Sequence, residues 1–305
     1  MKHYFIVNPV AGTRRGESLA AQIAESYTAA GADFEIHRTL SSEEARLFVR
    51  DVTSKGESTR IYAIGGDGTL CDVLAGVADF THTEIGCFPC GTGNDFVKSL
   101  PTQANMLDMN IQRIASAISV DMLSVHYGDA AVRCLNIVNV GLDATAAYYM
   151  QKIKRIPLLG GLSYVLGLLG GVCRPLGLAV RAVLDGKEFF DGTATIAVFA
   201  GGQYYGGGFR AAPEANVADG WMDVCLVRKV SHMRFFRLVG MYKRGEHLRS
   251  PALADIILSG RAREIALTAP RMLRLCCDGE IFSVPAGETV RVKLEPQLVR
   301  FVVPG

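Results

Sequence analysis

Apolar positions in the first 120 residues follow two alternating periods. Short apolar runs typical of buried strands occur at 3–7, 34–39, 60–64 and 84–88. Segments with the apolar spacing of a helix lie between them, at 18–30, 41–52 and 70–78. Ser41, with Glu44 three residues later, is a capping-box signature that starts the second of these helices. Strands that alternate with helices predict an α/β domain with a doubly wound, mostly parallel sheet.

After about residue 120 the pattern changes to strand following strand. Predicted strands lie at 122–127, 133–140, 178–184, 187–190, 193–199, 222–228, 264–268, 272–276, 289–294 and 298–303. This succession predicts a mainly-β, antiparallel sandwich or open barrel. We therefore expect an α/β domain over 1–122 and a mainly-β domain over 123–296. A C-terminal strand at 297–305 could return to the first domain.

Two segments interrupt the β pattern. Ile156–Cys173 carries no charge and only just reaches the length of a membrane-spanning helix. Because Pro157 and several glycines lower its hydrophobicity and helix propensity, we expect a buried or lipid-facing helix rather than a spanning one. One face of that helix would carry Leu159, Leu162, Leu166 and Leu169. The second segment, 228–249, contains a helix near 233–243 with a basic face. That helix is either a solvated surface helix or a surface that rests on anionic lipid.

Composition narrows the class of protein. The chain has 305 residues, 49% hydrophobic, with a net charge of +2, which is typical of a globular protein of two domains. No basic segment is interleaved with stacking aromatics, so we expect no nucleic-acid partner. The eight cysteines have no zinc-ligand spacing, which favours reduced thiols in a cytosol. The apolar run Tyr4–Val7 is too short for a secretion signal.

The most informative stretch is Gly65-Gly66-Asp67-Gly68-Thr69, directly after a buried strand and before a helix. A glycine turn in this position can bring backbone N–H groups and a helix N-terminus to a phosphate. The stretch has neither the Lys-Ser/Thr end of a P-loop nor the spacing of a dinucleotide fingerprint. Asp67 would repel a phosphate unless a cation or a hydroxyl donor lies nearby. A tight strand-to-helix turn without a ligand is the alternative.

Four further stretches follow in order along the chain. They are Asn8–Gly12, Gly91–Phe96, Ala212–Ala215 running into Asp219–Asp223, and Cys277–Glu280. Together with Gly65–Thr69, their order and spacing resemble the diacylglycerol kinase and lipid kinase family, which includes sphingosine kinases and is related to NAD kinases. One departure is that Gly201-Gly202 stand where the family often has Asn-Gly. A hydrogen bond from that Asn side chain is therefore in doubt here.

The resemblance implies roles for particular residues. The implied nucleotide-binding residues are Asn8, Thr39, Gly65, Gly66, Asp67, Gly68, Thr69, Gly91, Thr92, Asn94 and Asp95. It implies a proton acceptor in the Cys277–Glu280 motif, and we assign Glu280 as base with Asp278 as its partner through metal or water. Which of the two is the base stays open, and Asp278-Gly279 could equally be a hairpin turn. It also implies a magnesium site of the Asp219 carboxylate and main-chain oxygens near Asn216 and Trp221.

The family resemblance leads to an expected function. We expect an ATP- and Mg²⁺-dependent lipid kinase that phosphorylates a diacylglycerol-like or sphingoid hydroxyl. It would be cytoplasmic and peripheral at the inner membrane face, in contact with anionic lipid, and a homodimer remains open. One alternative is an NAD kinase-like phosphotransferase, which shares the Gly-Gly-Asp-Gly loop. Another is a non-catalytic lipid-binding protein on the same scaffold.

Overall fold

The computed structural model describes residues 1–9, 15–102, 105–154 and 177–304. These residues form two compact units. The first contains residues 1–122 and 296–305, and the second contains residues 123–295. The helix expected over Ile156–Cys173, with its four leucines, lies outside the described residues, and so does the end of the Asn8–Gly12 loop.

The first unit is built on a parallel sheet. Its strands are β1 (Lys2–Val7), β2 (Phe34–Arg38), β3 (Thr59–Gly65) and β4 (Thr83–Pro89). Its helices are α1 (Arg15–Ala29), α2 (Ser42–Thr53), α3 (Asp67–Gly76) and α4 (Met109–Ile114). The order is β4-β3-β1-β2, with every neighbouring pair parallel. The predicted α/β class is therefore confirmed for this unit.

Aromatic packing holds the sheet of the first unit to α1. The rings of Phe5 on β1 and Tyr62 on β3 stack with centroids 5.0 Å apart. Tyr27 of α1 meets Phe5 edge-to-face at 4.9 Å, and all three side chains are fully buried. Such pairs add to the free energy of burial by about 0.5–1.5 kcal/mol each. The buried strands therefore form one side of a continuous core.

The predicted capping box at the start of α2 is present. The Ser41 hydroxyl accepts the N–H of Glu44 at 3.2 Å, and the Glu44 carboxylate accepts the N–H of Leu40 at 2.8 Å. One N–H group that the helix cannot satisfy internally thus has a partner, and the Glu44 side chain reaches back to the residue before the N-cap rather than to the N-cap itself. The helix begins at Ser42 because of this local chemistry.

Two long strands cross the division between the units. They are β5 (Ala117–Tyr127) and the last strand of the chain, β15 (Thr289–Val302). Arg300 and Phe301 of β15 pair in parallel with β4, so residues far from β4 in sequence add a strand to the sheet of the first unit. Phe301 is fully buried, and its ring lies 5.1 Å from that of Phe96.

The second unit is mainly β. Its remaining strands are β6 (Ala130–Cys134), β7 (Ile137–Gly141), β8 (Leu178–Leu184), β9 (Lys187–Ala200), β10 (Met222–Arg228), β11 (Ile257–Ala262), β12 (Glu264–Thr268), β13 (Leu273–Cys277) and β14 (Glu280–Val284). Its helices are α5 (Leu142–Lys154) and α6 (His232–Arg244). The main path is β14-β13-β7-β9-β8-β12-β15, and β10 pairs with both β9 and β11. Neighbouring strands along this path, and the pairs β10–β9, β10–β11 and β5–β6, are antiparallel, as predicted.

Several predicted elements of this unit differ from the structure. The strand expected over 133–140 is two strands, β6 and β7, because the backbone N–H groups between them turn to the carboxylate of Asp278. The strands expected at 289–294 and 298–303 are one strand that passes through Pro296. Gln297 takes a positive φ of 51° there, and its N–H donates to Asp121 Oδ1 at 2.7 Å. Helix α5 and strands β11 and β14 were not predicted.

Candidate functional site

The candidate nucleotide residues all follow the carboxyl ends of the four parallel strands. Asn8 follows β1, Thr39 follows β2, Gly65–Thr69 closes β3, and Gly91–Asp95 follows β4. Ligands of open α/β sheets bind at this edge of the strands. The α3 helix begins here at Asp67, and its N-cap, Gly66, has no side chain to cap the helix. The N-terminal N–H groups and the helix dipole therefore favour an anion.

The two glycine loops lie against each other at Gly66 and Gly91. The N–H groups of Cys90 and Gly91 both donate to the Gly65 carbonyl, at 2.9 and 3.2 Å. A Cβ on Gly91 would overlap the Cα of Gly66, and one on Gly66 would lie 3.1 Å from the Cα of Gly91. Gly68 differs, because a Cβ there would enter open space. Glycine is therefore required for packing at 91, a Cβ at 66 would make a tight contact, and position 68 has room for one.

Asp67 joins the two loops. Its Oδ1 accepts the N–H of Asp95 at 2.7 Å and lies 3.4 Å from the backbone nitrogen of Phe96. These N–H groups offset part of the carboxylate charge, which would otherwise oppose a phosphate. The buried carboxylate of Asp95 is paired in turn with the Lys98 ammonium at 2.7 Å. The acidic residue in the glycine loop thus has a structural partner within its own unit.

Asn94 and Thr92 play unequal parts in the second loop. Asn94 has a φ of 50°, and its amide both accepts the N–H of Gly91 and donates to the Gly91 carbonyl, at 3.1 and 3.0 Å. These two hydrogen bonds close the loop as a tight turn. The side chain of Thr92, by contrast, is exposed. Asn94 therefore shapes the loop, whereas Thr92 faces the space in front of it.

Thr39 and Asn8 hold the neighbouring strand ends together. The Thr39 N–H and hydroxyl both donate to the Val7 carbonyl, at 3.0 and 3.1 Å, and Thr39 is buried. The N–H of Asn8 donates to the Ile64 carbonyl at 3.2 Å. These bonds extend the alignment of β2, β1 and β3 one residue beyond the strands. The hydroxyl of Thr39 thus has a structural role that its position in the sequence did not reveal.

In the second unit, Asp278 is the first residue of the two-residue turn between β13 and β14. Asp278 and Gly279 have φ values of 45° and 92°, which are the positive angles of a tight hairpin turn. The Asp278 carboxylate accepts the N–H groups of Leu135, Asn136 and Ile137, at 2.7, 3.2 and 2.8 Å. Burial raises the pKa of Asp278, while these donors act in the opposite direction. Asp278 therefore forms the hairpin turn, and its carboxylate anchors that turn to residues 135–137.

Glu280 is the first residue of β14 and lies two positions after Asp278. Its side chain is half-buried, and its backbone pairs with Cys277 across the turn. The Asp278 bonds fix this turn to the start of β7, so they also fix where Glu280 stands. The two carboxylates therefore differ in their surroundings. Asp278 anchors the turn, and Glu280 lies next to it with a half-buried side chain.

The 216–221 loop contains oxygen atoms of the kind that bind a hard cation. Asn216 Oδ1 accepts the N–H of Ala218 and Asp219 Oδ1 accepts that of Trp221, each at 3.1 Å. Asp219 Oδ2 lies 3.4 Å from the Arg261 guanidinium. Nearby, Oδ2 of Asp223 is buried without a hydrogen-bond partner, and burial raises the pKa of this residue. An oxygen-only donor set with an unsatisfied carboxylate oxygen beside it fits Mg²⁺ in kind.

Three-residue groups of His, Cys, Asp or Glu that could hold a metal do not occur in the described ranges. A magnesium site in the 216–221 loop would therefore depend on main-chain oxygens besides the Asp219 carboxylate. Arg261 would compete with the ion for that carboxylate, because both carry positive charge. The pairing of Asp219 with Arg261 was not predictable, because the two residues are distant in sequence.

One cluster was missed by the sequence analysis. Asp143 lies in the first turn of α5, where the Tyr205 hydroxyl donates to its Oδ2. Burial raises the pKa of Asp143 to about 7 and that of Tyr205 well above its usual value. Tyr242 of α6 interacts with both residues. Asp143 was not singled out because α5 itself was not predicted, and the acidic residue therefore had no structural context.

Similarity to known proteins extends over almost the whole chain. Residues 2–125 match the family model described as diacylglycerol kinase catalytic domain. Residues 136–303 match that described as YegS C-terminal NAD kinase beta sandwich-like domain. In the part of the chain that the structure describes, no helix is long and apolar enough to cross a membrane.

Individual relatives agree with these family models. The "Diacylglycerol kinase" of Bacillus subtilis (strain 168) is 26% identical over 292 residues, covering 94% of this chain and 92% of its own. The "Probable lipid kinase YegS-like" protein of Cronobacter sakazakii (strain ATCC BAA-894) is 27% identical, covering 90% and 87%.

Among solved structures, a diacylglycerol kinase from Bacillus anthracis str. Sterne matches with a TM-score of 0.70 at 20% identity, covering 99% of this chain and 96% of that one. At this identity the match is evidence for the fold. With two family models covering successive halves of its length, the chain belongs to the diacylglycerol kinase and YegS-like lipid kinase family.

Proposed function

We propose that this chain is an ATP- and Mg²⁺-dependent lipid kinase acting at a membrane surface. The observation that carries the proposal is the contact between the two glycine loops at the start of α3. Gly66 and Gly91 let the two loops pack closely at that helix N-terminus, and Asp67 holds the loops together. Family membership supports kinase chemistry, since relatives in the family carry the names diacylglycerol kinase and lipid kinase.

The nucleotide role belongs to the edge of the first unit. Backbone N–H groups at the α3 N-terminus would bind the phosphates of ATP, and exposed Gly68 and Thr92 would lie beside them. Asn8, Thr39, Asn94, Asp67 and Asp95 would maintain the shape of this edge through the hydrogen bonds described above. Phosphoryl transfer depends mainly on such positioning and on charge stabilisation.

Glu280 has the role of proton acceptor. In the proposed step its carboxylate takes the proton of the lipid hydroxyl while the hydroxyl oxygen attacks the γ-phosphorus. The bond from that phosphorus to the bridging oxygen breaks, and ADP leaves. Asp278 is a positioning residue in this scheme, because its carboxylate already accepts three backbone N–H groups. A general base of this kind contributes about 10²–10⁴-fold to turnover.

We assign Mg²⁺ two separate roles. A Mg²⁺ ion carried with ATP would neutralise charge on the phosphates during transfer. In the 216–221 loop, the Asp219 carboxylate with main-chain oxygens near Asn216 and Trp221 would hold an ion that orders the loop. In both places the ion would be bound by oxygen atoms, which are the ligands that Mg²⁺ prefers.

The acceptor class is a lipid alcohol, either diacylglycerol-like or sphingoid. Relatives named diacylglycerol kinase support the first of these. We place the protein in the cytoplasm, peripheral at the inner membrane face, because its donor nucleotide is cytoplasmic and its acceptor is in the bilayer. An NAD kinase-like activity is the remaining enzymatic alternative.

The deciding experiment incubates the purified protein with γ-labelled ATP, Mg²⁺ and a panel of diacylglycerol, monoacylglycerol, sphingosine, ceramide and phosphatidylglycerol, with NAD as a separate acceptor. The expected result is label in one lipid class that is lost when Mg²⁺ is chelated and when Glu280 is replaced by Gln. Label in NAD and in none of the lipids would select the alternative enzyme. An absence of transfer to every acceptor, from protein that still binds ATP, would reject the kinase proposal.

A further inference from the structure

Helix α6 is anchored to the second unit by one face only. Phe235 and Tyr242 are buried in a core cluster, and Leu238 packs against the same cluster. Ser231 caps the start of the helix, and Gly245, with a φ of 76°, ends it. The helix therefore has a defined start, a defined end and one buried face, whereas its opposite side is largely exposed.

That opposite side, the α6 outer face, consists of His232, Met233, Phe236, Arg237, Gly240 and Lys243. The spacing of three and four residues places them on one side of the helix. Met233 is 68% exposed and Phe236 is 55% exposed. Among the large hydrophobic side chains that are exposed in the described residues, Phe236 is the single aromatic one. Two large apolar side chains at neighbouring positions form a patch rather than an isolated exposed residue.

Basic residues outnumber acidic ones in the segment that contains α6. From 228 to 249 the sequence contains a single acidic residue, Glu246, against Arg228, Lys229, Arg234, Arg237, Lys243, Arg244 and Arg249. Arg234 pairs with Asp255 and Arg244 with Glu246. Arg237, exposed on the outer face, contacts Met233 Sδ at 3.9 Å and no carboxylate of the described residues. Lys243 lies over the ring of Phe209, with its ammonium 5.6 Å from the centroid.

We propose that the α6 outer face is the surface that docks this protein on an anionic bilayer. Met233 and Phe236 would enter the boundary between headgroups and acyl chains, while Arg237 and Lys243 contact lipid phosphates. A helix with apolar side chains flanked by cations has the composition of an interfacial helix. Each basic residue near such a surface adds to the attraction for anionic lipid.

A second copy of the chain fits this face less well. In a two-fold dimer the same surface meets itself, and because the charged groups of this face, Arg237 and Lys243, are both cations, the contact would bring like charges together. An anionic bilayer complements both the charge and the apolar patch. The proposal gives a membrane partner to the lipid kinase function proposed above and rests on that function for its purpose, though not for the binding itself.

The test is co-sedimentation, without ATP, with vesicles of phosphatidylcholine alone and of phosphatidylcholine mixed three-to-one with phosphatidylglycerol. The parent protein is expected to bind the mixed vesicles and to be released by salt. Met233→Ser combined with Phe236→Ser, and separately Arg237→Glu, should each weaken this binding on the order of tenfold. Thermal unfolding should be unchanged, because none of these side chains is buried.

Matched controls come from other exposed positions. Leu40→Ser combined with Leu47→Ser removes side chains that are 92% and 60% exposed in the first unit. Lys187→Glu reverses an exposed charge of the second unit outside α6. Both controls should bind like the parent. The docking proposal is overturned if the α6 variants bind as well as the parent, if the controls lose binding equally, or if neutral vesicles bind as strongly as anionic ones.

Two further outcomes separate the docking proposal from the kinase proposal. Light scattering that shows the parent as a dimer and the α6 variants as monomers would assign the face to a second copy and overturn membrane docking. A parent that phosphorylates a short-chain, water-soluble lipid but does not bind vesicles also overturns docking and leaves the kinase proposal standing. A parent that binds vesicles through α6 but phosphorylates none of the lipids supports docking and contradicts the kinase function.

Discussion

The Oδ1 atom of Asp67 lies 2.7 Å from the backbone nitrogen of Asp95, joining two loops that are 28 residues apart in sequence. This bond sets the second glycine loop relative to the start of α3 within the first unit. We expect Asp67→Ala to lower the free energy of unfolding by about 1.5–3 kcal/mol, the usual range for a hydrogen bond to a charged group. It should also weaken ATP binding, whereas Asp67→Asn, which keeps an acceptor, should lose less stability. Urea unfolding and ATP titration measure the two effects. Equal stability of the parent and the Ala variant would contradict the structural role.

The glycines of these loops should respond differently to the same small change. Gly91→Ala should lower the melting temperature, because its Cβ would overlap the backbone of Gly66. Gly68→Ala should leave stability almost unchanged, since its Cβ meets open space, but should weaken ATP binding by crowding the phosphates. Thermal unfolding with ATP titration tests both. Undiminished ATP affinity in Gly68→Ala, together with the predicted instability of Gly91→Ala, would reduce the loop to a tight turn.

The two carboxylates of the β13–β14 turn should separate by their effects. Glu280→Gln should leave ATP affinity and stability close to those of the parent and lower turnover by about 10²–10⁴-fold. Asp278→Ala should instead lower the free energy of unfolding by about 3 kcal/mol or more, because buried N–H groups of 135–137 lose their acceptor. Turnover, urea unfolding and ATP titration on both variants make the comparison. Near-normal turnover of Glu280→Gln would remove it from the mechanism.

Asp143 should make stability depend on pH. Its pKa is raised to about 7 by burial, compared with an unfolded value of about 3.9. Between these values the folded protein binds the additional proton, so this residue's contribution to stability falls as pH rises from about 4 to 7 and is constant above. Asp143→Asn still offers an acceptor to Tyr205 and does not titrate. We therefore expect the variant to gain stability over the parent across this window, on the order of 2 kcal/mol given the residue's partial exposure.

Urea unfolding of parent and variant at several pH values measures this difference. The buried His3 and His247, whose pKa values are lowered to about 4 by burial, act in the opposite direction. Each histidine contributes stability that is lost as pH falls from about 6.5 to 4, because the unfolded chain then binds the proton. Both proteins contain these histidines, so their effect cancels in the comparison. Parallel stability curves for parent and variant would show that Asp143 does not titrate as proposed.

The parts of the fold that depend on local signals could be predicted from the sequence. Strands β8, β10 and β12 begin and end at the predicted residues, because each is a β-rich run with a polar or turn residue at its boundary. The Ser41 cap likewise lies entirely within four residues. By contrast, the break between β6 and β7 is made by Asp278, more than 140 residues later in the chain. No periodicity within 133–140 carries that information.

The candidate site divides in the same way. Glycines after β3 and β4 are visible in the sequence, and the parallel order of the strands brings them to one edge. The partners of Asp67, Thr39 and Asp219 are not visible, because each bond joins residues from separate elements. Helix α5, with Asp143, was missed because its small and aromatic residues give only a weak amphipathic signal. The functional roles of Glu280 and of the 216–221 loop remain predictions.

The return of residues 296–305 to the first unit has a consequence for synthesis on the ribosome. Because β15 pairs with β4 through Arg300 and Phe301, the sheet begun by residues 2–7 lacks this neighbouring strand until those two residues have been translated. Until then β4 is an open sheet edge, which can pair with other chains. We expect residues 1–122 expressed alone to be protease-sensitive and aggregation-prone, and a peptide of residues 296–305 to protect them. Residues 1–122 would thus complete their sheet only after residues 123–295 had been synthesised.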